Sequence, residues 1–176
     1  FGGLVDDRQR FNDTYVFDTD STTWRKLNCR GVQPYPRAHH TATFISDQRR
    51  LMIFGGYGGS GRLFSELDAL DVDTLTWAPL PTKGAFPKAR FDHSASLAGT
   101  KLIILGGRNN EASVDDINVL DITTMTWELL KQDENLPRPI PLFAHAATPI
   151  KSAISWKLFT FGGRCTPFEY GTSVFC

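Results

Sequence analysis

Three histidines recur along the chain and could form a metal site by residue type. His40, His93 and His145 stand 53 and 52 residues apart, and a zinc ion would need their imidazole nitrogens within about 2.0 to 2.1 Å. A metal-binding or catalytic group is needed once in a protein, whereas a residue that returns in every repeated unit serves the unit. The recurrence therefore favours a structural role for the histidines, and no metal site is predicted.

Arginines and aspartates recur in the same way. Arg37 and Arg90 stand in Pro-x-x-Arg-x-x-His motifs, and the third copy of the motif carries Leu142 at the arginine position. We expect the two arginines to bond backbone carbonyl groups between repeated units rather than a ligand. The aspartates open Asp-x-x-[Ser/Thr] turns, in which a carboxylate accepts backbone N–H bonds. They are Asp18, Asp71 and Asp121.

These motifs mark a sequence repeat of about fifty residues. Four diglycines follow apolar residues, and their positions give steps of 53, 51 and 56 residues: Gly2-Gly3, Gly55-Gly56, Gly106-Gly107 and Gly162-Gly163. A tryptophan follows each of the first three diglycines after 20 or 21 residues, at Trp24, Trp77 and Trp127. Repeats of this length are typical of solenoids and propellers.

The segments within one repeat distinguish these two architectures. Each is short, β-branched or apolar, and bounded by turn residues, which predicts a strand. One repeat contains four such segments: HTATFI, LMIFGG, DALDV and TWAPL. No segment shows helical periodicity, and the second is apolar on both faces, as expected when each small sheet lies between two others. We therefore predict an all-β propeller made of four-stranded antiparallel blades.

The diglycines, the Asp-turn-Trp spacing and the Pro-x-x-Arg-x-x-His motif together resemble kelch repeats of the long variety. The resemblance covers residues 1–176 and implies one arc of a kelch-type β-propeller, with two complete blades flanked by two incomplete ones. The complete blades span 37–80 and 90–130, and the partial blades span 1–30 and 143–176. Kelch propellers usually close with about six blades, and an open arc would leave apolar faces in water. We therefore expect the chain to be a fragment of a larger protein.

The composition narrows the class of partner. The 176 residues include 19 basic and 19 acidic side chains, so the chain has no overall charge for binding nucleic acid or an anionic membrane. No apolar run approaches the roughly 20 residues that span a bilayer. The three cysteines lack Cys-x-x-Cys spacing, which argues against a disulfide framework or a zinc knuckle. These features favour an intracellular, cytoplasmic protein.

The loops that do not repeat are expected to carry the function. In a four-stranded meander, the loops after the diglycines and the loops between blades emerge on one face, where recognition is commonly placed. Arginine offers a planar donor fork and aromatic rings offer rigid contact area, so both are favoured in interfaces. The predicted partner-binding residues are Arg8, Arg10, Tyr57, Arg62, Phe64, Arg108, Asn110, Arg164 and Phe168. The expected partner is an acidic or phosphorylated protein or peptide, besides the other domains of the full-length protein.

The predicted function is a non-enzymatic interaction module with no catalytic residue and no cofactor. The alternative is a metal-dependent enzyme, because some kelch-like propellers host copper oxidase or iron-assisted chemistry. The iron-type Glu-x-x-x-Asp-x-x-x-His spacing is absent: Leu70 follows Glu66, and the run from Glu111 ends at Val119. The glycine-rich YGGSGR at 57–62 lacks the ending of a phosphate-binding loop and is predicted to form a hairpin loop.

Overall fold

The computed structural model of the protein describes residues 1–6, 8–131, 133, 135 and 141–165. These residues form an all-β fold with one turn of 3-10 helix, Ser46–Gln48, and no α-helix among them. The strands are β1 (Thr14–Asp18), β2 (Thr23–Leu27), β3 (Arg30–Gly31), β4 (Thr41–Ile45), β5 (Arg50–Phe54), β6 (Tyr57–Gly59), β7 (Arg62–Leu63), β8 (Leu67–Asp71), β9 (Thr76–Pro79), β10 (Lys83–Gly84), β11 (Ser94–Ala98), β12 (Lys101–Leu105), β13 (Ile117–Asp121), β14 (Thr126–Leu129), β15 (Ala146–Lys151) and β16 (Trp156–Phe161). The predicted fold class is thereby confirmed.

The chain divides into two compact units, Phe1–Leu80 and Pro81–Cys176. In the first unit, β4, β5, β8 and β9 form one complete blade as an antiparallel meander, with Ile53 opposite Asp68 in its central pair. Strands β1 and β2 pair separately, and β6 and β7 form a small hairpin inside the YGGSGR segment. The hairpin predicted for that segment is therefore confirmed.

The second unit repeats this plan. Strands β11, β12, β13 and β14 form its complete blade, with Ile104 opposite Asn118, and β15 pairs with β16 alone. The two complete and two incomplete blades expected from the sequence are thus present. The assignment of all four to one domain stays a prediction.

Each complete blade also carries a short fifth strand that the sequence reasoning did not anticipate. We call β3 and β10 the straps; they consist of Arg30–Gly31 and Lys83–Gly84. Each strap follows the preceding repeat and pairs in parallel with the fourth strand of the blade, β9 or β14. The two blades are therefore five-stranded sheets.

The motif tryptophans differ from one another in burial. Trp77 joins Ile53 and Leu70 in a buried core cluster, and the Phe1 ring centre lies 4.9 Å from the Trp77 ring. Trp77 and Trp127 are buried, whereas Trp24 is 69% exposed. In the described residues β2 pairs with β1 alone, and the Trp24 ring contacts the Phe17 ring, with 5.0 Å between the ring centres.

The motif aspartates cap turns, as predicted. Asp18 Oδ1 accepts bonds from the Ser21 backbone N–H (2.8 Å) and hydroxyl (2.9 Å), and Asp71 binds Thr74 in the same way. Because these bonds favour the charged carboxylate, the pKa values of both aspartates lie below the ordinary value. Asp121 caps its turn through the backbone N–H groups of Thr123 and Thr124.

Candidate interaction surface

Arg37 forms the base of the candidate site in the first unit. Its side chain is 1% exposed, and its guanidinium donates to the carbonyl oxygens of Tyr35 (3.1 Å) and Gly55 (3.2 Å). It also lies 3.4 Å from the Asp68 carboxylate. Burial lowers the pKa of Arg37, and Asp68 partly opposes that shift. The predicted carbonyl bonds are formed, but Gly55 belongs to the same blade, so the expectation of a bond between blades was wrong.

Two guanidinium groups and two aromatic rings pack against one another next to Arg37. The Arg37 guanidinium carbon lies 3.9 Å from the centre of the Phe64 ring. The Tyr35 and Phe64 rings stack with an interplanar angle of 12° at 6.4 Å. The Arg62 guanidinium carbon lies 4.0 Å from the Tyr35 ring and 5.1 Å from the Phe64 ring. We call Tyr35, Arg37, Arg62 and Phe64 the arginine–aromatic stack.

Phe64 was predicted to contact a partner from an exposed loop, but in the structure its ring is inside the stack. Its ring is 1% exposed, because Arg37 and Tyr35 cover it. It therefore supports Arg62 from beneath and offers little surface of its own. Arg62 and Tyr35, by contrast, are exposed.

The glycines of YGGSGR make room for this arrangement. A Cβ atom at Gly58 would lie 2.9 Å from the Phe64 ring, and one at Gly59 would lie 2.9 Å from Nη1 of Arg10. Gly59 also has φ of +92°, which L side chains rarely adopt. The glycine-rich sequence therefore lets an aromatic ring and a guanidinium approach the hairpin backbone closely.

Arg10 and Tyr57 form a second contact beside the stack. The Arg10 guanidinium carbon lies 5.0 Å from the centre of the Tyr57 ring, within the range of cation–π attraction. Tyr57 pairs with Leu63 across the hairpin, so the hairpin joins this contact to the stack. Arg8 is exposed, and its backbone N–H donates to Asp6 Oδ1 at 2.8 Å.

Arg108 is the centre of the candidate site in the second unit. Its guanidinium carbon lies 4.4 Å from the Phe91 ring and 4.6 Å from the Phe143 ring. Its Nε donates to Asp92 Oδ2 at 3.0 Å. Arg108 is thus held between two aromatic side chains and, unlike Arg62, is partly neutralised by a carboxylate.

The remaining predicted residues lie around Arg108 or outside the described part of the chain. The backbone of Arg164 bridges to Phe143, and its side chain is exposed. Asn110 is exposed in a turn that the neighbouring Asn109 caps, with Oδ1 accepting the backbone N–H of Glu111 at 2.8 Å. Phe168 lies outside the described residues.

Arg90 repeats the role of Arg37 in the second unit. Its side chain is fully buried, and it donates to the carbonyl oxygens of Lys88 (3.1 Å) and Gly106 (2.9 Å). Both Nη atoms bond the Asp116 carboxylate, with 2.9 Å between Nη2 and Oδ2. Burial alone would raise the pKa of Asp116, but the bonds and charge of Arg90 outweigh it and leave that pKa below the ordinary value.

Sequence reasoning missed the residues that support the arginines. Tyr35, Phe91 and Phe143 stack on them, and Asp92 bonds Arg108. A signal for two of these was present, since Phe91 and Phe143 directly follow the Arg90 and Leu142 motif positions. The structure shows why that position matters: the residue there bridges to the residue after the diglycine.

The motif histidines make structural contacts within each unit. His145 Nε2 lies 2.8 Å from the Ser94 hydroxyl of the neighbouring sheet. The His40 ring meets the Phe1 ring edge-on at 5.5 Å. Burial, and then nearby positive charge, lowers the pKa of His40 to about 4, so its imidazole is neutral near pH 7. Within the described part of the chain, no three His, Cys, Asp or Glu side chains gather as a metal would require.

A repeated β-blade with recurring structural residues and variable arginine–aromatic loops defines a propeller-type repeat protein. The chain belongs to the kelch-repeat family, because residues 1–174 match the model of the KLHDC2/KLHL20/DRC7 Kelch-repeats domain. Its fold class is that of a partial kelch-type β-propeller. Membership of this family, whose members are generally non-enzymatic scaffolds, fits a module for protein interaction.

Three similar proteins are much longer than this chain. The chain is 37% identical to the dynein alpha chain of the flagellar outer arm from Chlamydomonas reinhardtii, over 99% of the chain and 4% of the relative. It is 30% identical to acyl-CoA-binding domain-containing protein 4 from Arabidopsis thaliana, over 93% of the chain and 24% of the relative. It is 32% identical to Kelch domain-containing protein 3 from Bos taurus, over 93% of the chain and 44% of the relative. The chain thus spans less than half the length of each of these relatives.

No helix long and apolar enough to cross a bilayer occurs among the residues that the structure describes.

Proposed function

We propose that this chain is a non-enzymatic recognition module that binds an acidic or phosphorylated segment of a protein partner through the loops after the diglycines and between blades. The arginine–aromatic stack is its principal contact, Arg10 and Tyr57 flank it, and Arg8 is proposed as a further contact. Arg108, Asn110, Arg164 and Phe168 are proposed as a second contact region.

Arg62 is the observation that carries this proposal. Its guanidinium lies over Tyr35, which fixes the plane of the group at little entropic cost. No carboxylate among the described residues bonds it, whereas Arg108 bonds Asp92 and Arg37 faces Asp68. A guanidinium that is held by its face keeps its N–H edges available, and that edge matches the two oxygens of a carboxylate or phosphate.

The comparison of the two units supports the choice of Arg62 over Arg108. Replacing Arg108 would remove a charge pair and two ring contacts, so any loss of binding would be mixed with a loss of local structure. Among the described residues, replacing Arg62 removes its ring contacts with Tyr35 and Phe64 and breaks no ion pair. Arg62 is therefore the cleaner probe of recognition.

The test is Arg62→Gln, with Arg50→Gln as the matched control. Arg50 is also exposed, but it begins β5 at the end of the blade opposite Gly55. Peptide libraries with acidic, phosphorylated or neutral residues would first select a ligand, and fluorescence anisotropy would then give the Kd for each variant. Losing a bidentate charge-assisted pair should weaken binding roughly 10- to 100-fold, whereas Arg50→Gln should leave the Kd unchanged. Equal binding of wild type and Arg62→Gln, or selection of neutral peptides, would contradict the proposal.

The absence of catalysis and the intracellular location are also part of the proposal. The recurrence of the polar motif residues supports the first, and the two described cysteines, Cys29 and Cys165, which are free thiols, support the second. Copper or iron bound stoichiometrically to the purified full-length protein would instead favour the enzyme alternative.

A further inference from the structure

The two straps are attached to their blades in the same way. Each strap donates two backbone N–H bonds to the fourth strand, and these join Arg30 to Leu75 (2.8 Å), Val32 to Trp77 (2.9 Å), Lys83 to Met125 (3.0 Å) and Ala85 to Trp127 (3.0 Å). Both strap glycines lie opposite the motif tryptophan at positive φ, +80° at Gly31 and +94° at Gly84. The residues directly before the straps, Cys29 and Thr82, therefore occupy equivalent positions in the two units.

In the second unit this position gives the tryptophan a hydrogen-bond acceptor. Trp127 Nε1 donates to Thr82 Oγ1 at 3.2 Å. In the first unit, Cys29 takes the place of the threonine and packs against the buried cluster that contains Trp77. The Trp77 side chain is 1% exposed, and its Nε1 has no hydrogen-bond acceptor among the described residues. Because a buried N–H without an acceptor is unfavourable, this indole would stabilise an oxygen atom bound to the Cys29 sulfur.

The Cys29 side chain is also accessible to solvent. It is a free thiol in a partly exposed residue. Thr82 is partly exposed as well, although a complete blade precedes it in the chain, so partial exposure is a property of this position in the repeat. Thiols that are open to solvent are the ones that peroxides oxidise.

We propose that Cys29 is a site of reversible oxidation by hydrogen peroxide, at which the oxygen added to sulfur accepts a hydrogen bond from the Trp77 indole. The Cys29 thiolate attacks one peroxide oxygen, so that an S–O bond forms while the O–O bond breaks. Sulfur gives up two electrons, and the other oxygen leaves as hydroxide, which the proton released by the thiol converts to water. The product is a sulfenic acid, which thiols can reduce.

The new oxygen does for Trp77 what the Thr82 hydroxyl does for Trp127. It supplies the missing acceptor, and the hydrogen bond in turn stabilises the oxidised cysteine. The site lies apart from the arginine–aromatic stack and does not depend on the proposed function.

Hydrogen peroxide and dimedone, a reagent that labels sulfenic acids, test the oxidation on the full chain. Peptide mass spectrometry then separates Cys29 from Cys165, the other described free thiol. Hydrogen exchange of the indole N–H groups, followed by NMR, reports the predicted bond. Exchange at Trp77 should slow roughly 5-fold on oxidation, the factor that one hydrogen bond contributes, and dithiothreitol should restore it. Exchange at Trp127 should not change, because Thr82 already accepts its N–H.

Two substitutions at Cys29 serve as matched controls. Cys29→Ser places a hydroxyl at the position of Thr82, so it should slow exchange at the Trp77 indole without peroxide. Cys29→Ala offers no oxygen, so peroxide should leave its Trp77 exchange unchanged. The inference is overturned if dimedone labels Cys165 but not Cys29, if oxidised Cys29 leaves Trp77 exchange as it was, or if the alanine variant responds to peroxide as wild type does.

Discussion

Replacing Arg90 with methionine tests whether the recurring residues are structural. Arg90→Met keeps a long side chain in the fully buried position but removes every donor. The Gly106 carbonyl loses its 2.9 Å bond, and the Asp116 carboxylate loses both of its bonds to the guanidinium. The variant therefore leaves a half-buried charge and a buried carbonyl without their partners.

The magnitude follows from these losses. Breaking a buried ion pair by removing one partner costs about 3 to 5 kcal/mol, and the low end applies because the Asp116 side chain is 30% exposed and water can reach it. The lost carbonyl bond adds about 1 kcal/mol. The expected total of about 4 kcal/mol is a large part of the 5 to 15 kcal/mol that stabilises a typical domain.

Hydrogen exchange measured on β12 and β13 is the suitable assay, because Gly106 directly follows β12 and Asp116 directly precedes β13. Protection there should fall roughly 1,000-fold in Arg90→Met at pH 7. The bonds of Arg90 hold the pKa of Asp116 below its ordinary value in wild type, so its contribution to stability is present above the unfolded pKa and is lost as the pH falls through the folded pKa. In the variant, burial should raise that pKa, so the gap between variant and wild type should narrow between about pH 5 and pH 3.

The double variant Arg90→Met/Asp116→Asn provides the control. Removing the unpaired charge of the Asp116 carboxylate should recover part of the lost hydrogen-exchange protection at pH 7. Unchanged protection in Arg90→Met together with a loss of partner binding would refute the reasoning, because the recurring arginine would then be a recognition residue.

Two further predictions concern the strap and the pH response. Gly84→Ala should lower the free energy of unfolding by about 2 to 4 kcal/mol, from backbone strain and two lost strap bonds, and should shift Trp127 fluorescence to the red. Gly162 is also at positive φ, but no atom of the described residues lies within 4 Å of its Cβ position, so Gly162→Ala should cost only about 1 kcal/mol. Because the pKa of His40 is lowered to about 4, the unfolded state binds a proton that the folded state does not, so stability should fall as the pH drops from about 6.5 to about 4. Urea titrations of His40→Gln across that range should show a flatter dependence, and an unchanged slope would contradict the assigned cause.

The residue types of the candidate site could be read from the sequence, but how those residues pack against one another could not. Arginine and aromatic residues in variable loops marked Arg62 and Tyr57 from sequence alone. Phe64 belonged to the same set by residue type, yet its ring is buried beneath Arg62, because Arg37 approaches it from the other side. The exposure of a loop side chain depends on which distant residue packs over it, and the sequence of the loop does not predict that residue.

The straps show the same limit more clearly. Arg30–Gly31 and Lys83–Gly84 are only two residues long, too short for any periodicity, and their pairing joins residues more than forty positions apart. Nothing in the sequence distinguishes Gly31 and Gly84 from ordinary loop glycines, whereas in the structure a Cβ atom at either position would lie 2.2 Å from a tryptophan carbonyl oxygen.

The sequence by itself determined the repeat, the four strands of each blade, the turn-capping aspartates and the kelch family, because each of these follows from residues close in the chain or repeated in register. Tertiary structure alone decided which arginines are paired and which are available, why Trp24 is exposed while Trp77 and Trp127 are buried, and where a fifth strand is added. The physical reason is that ion pairing and burial depend on which surfaces pack together in space. Those contacts join residues that are far apart in the sequence, and no local sequence pattern predicts them.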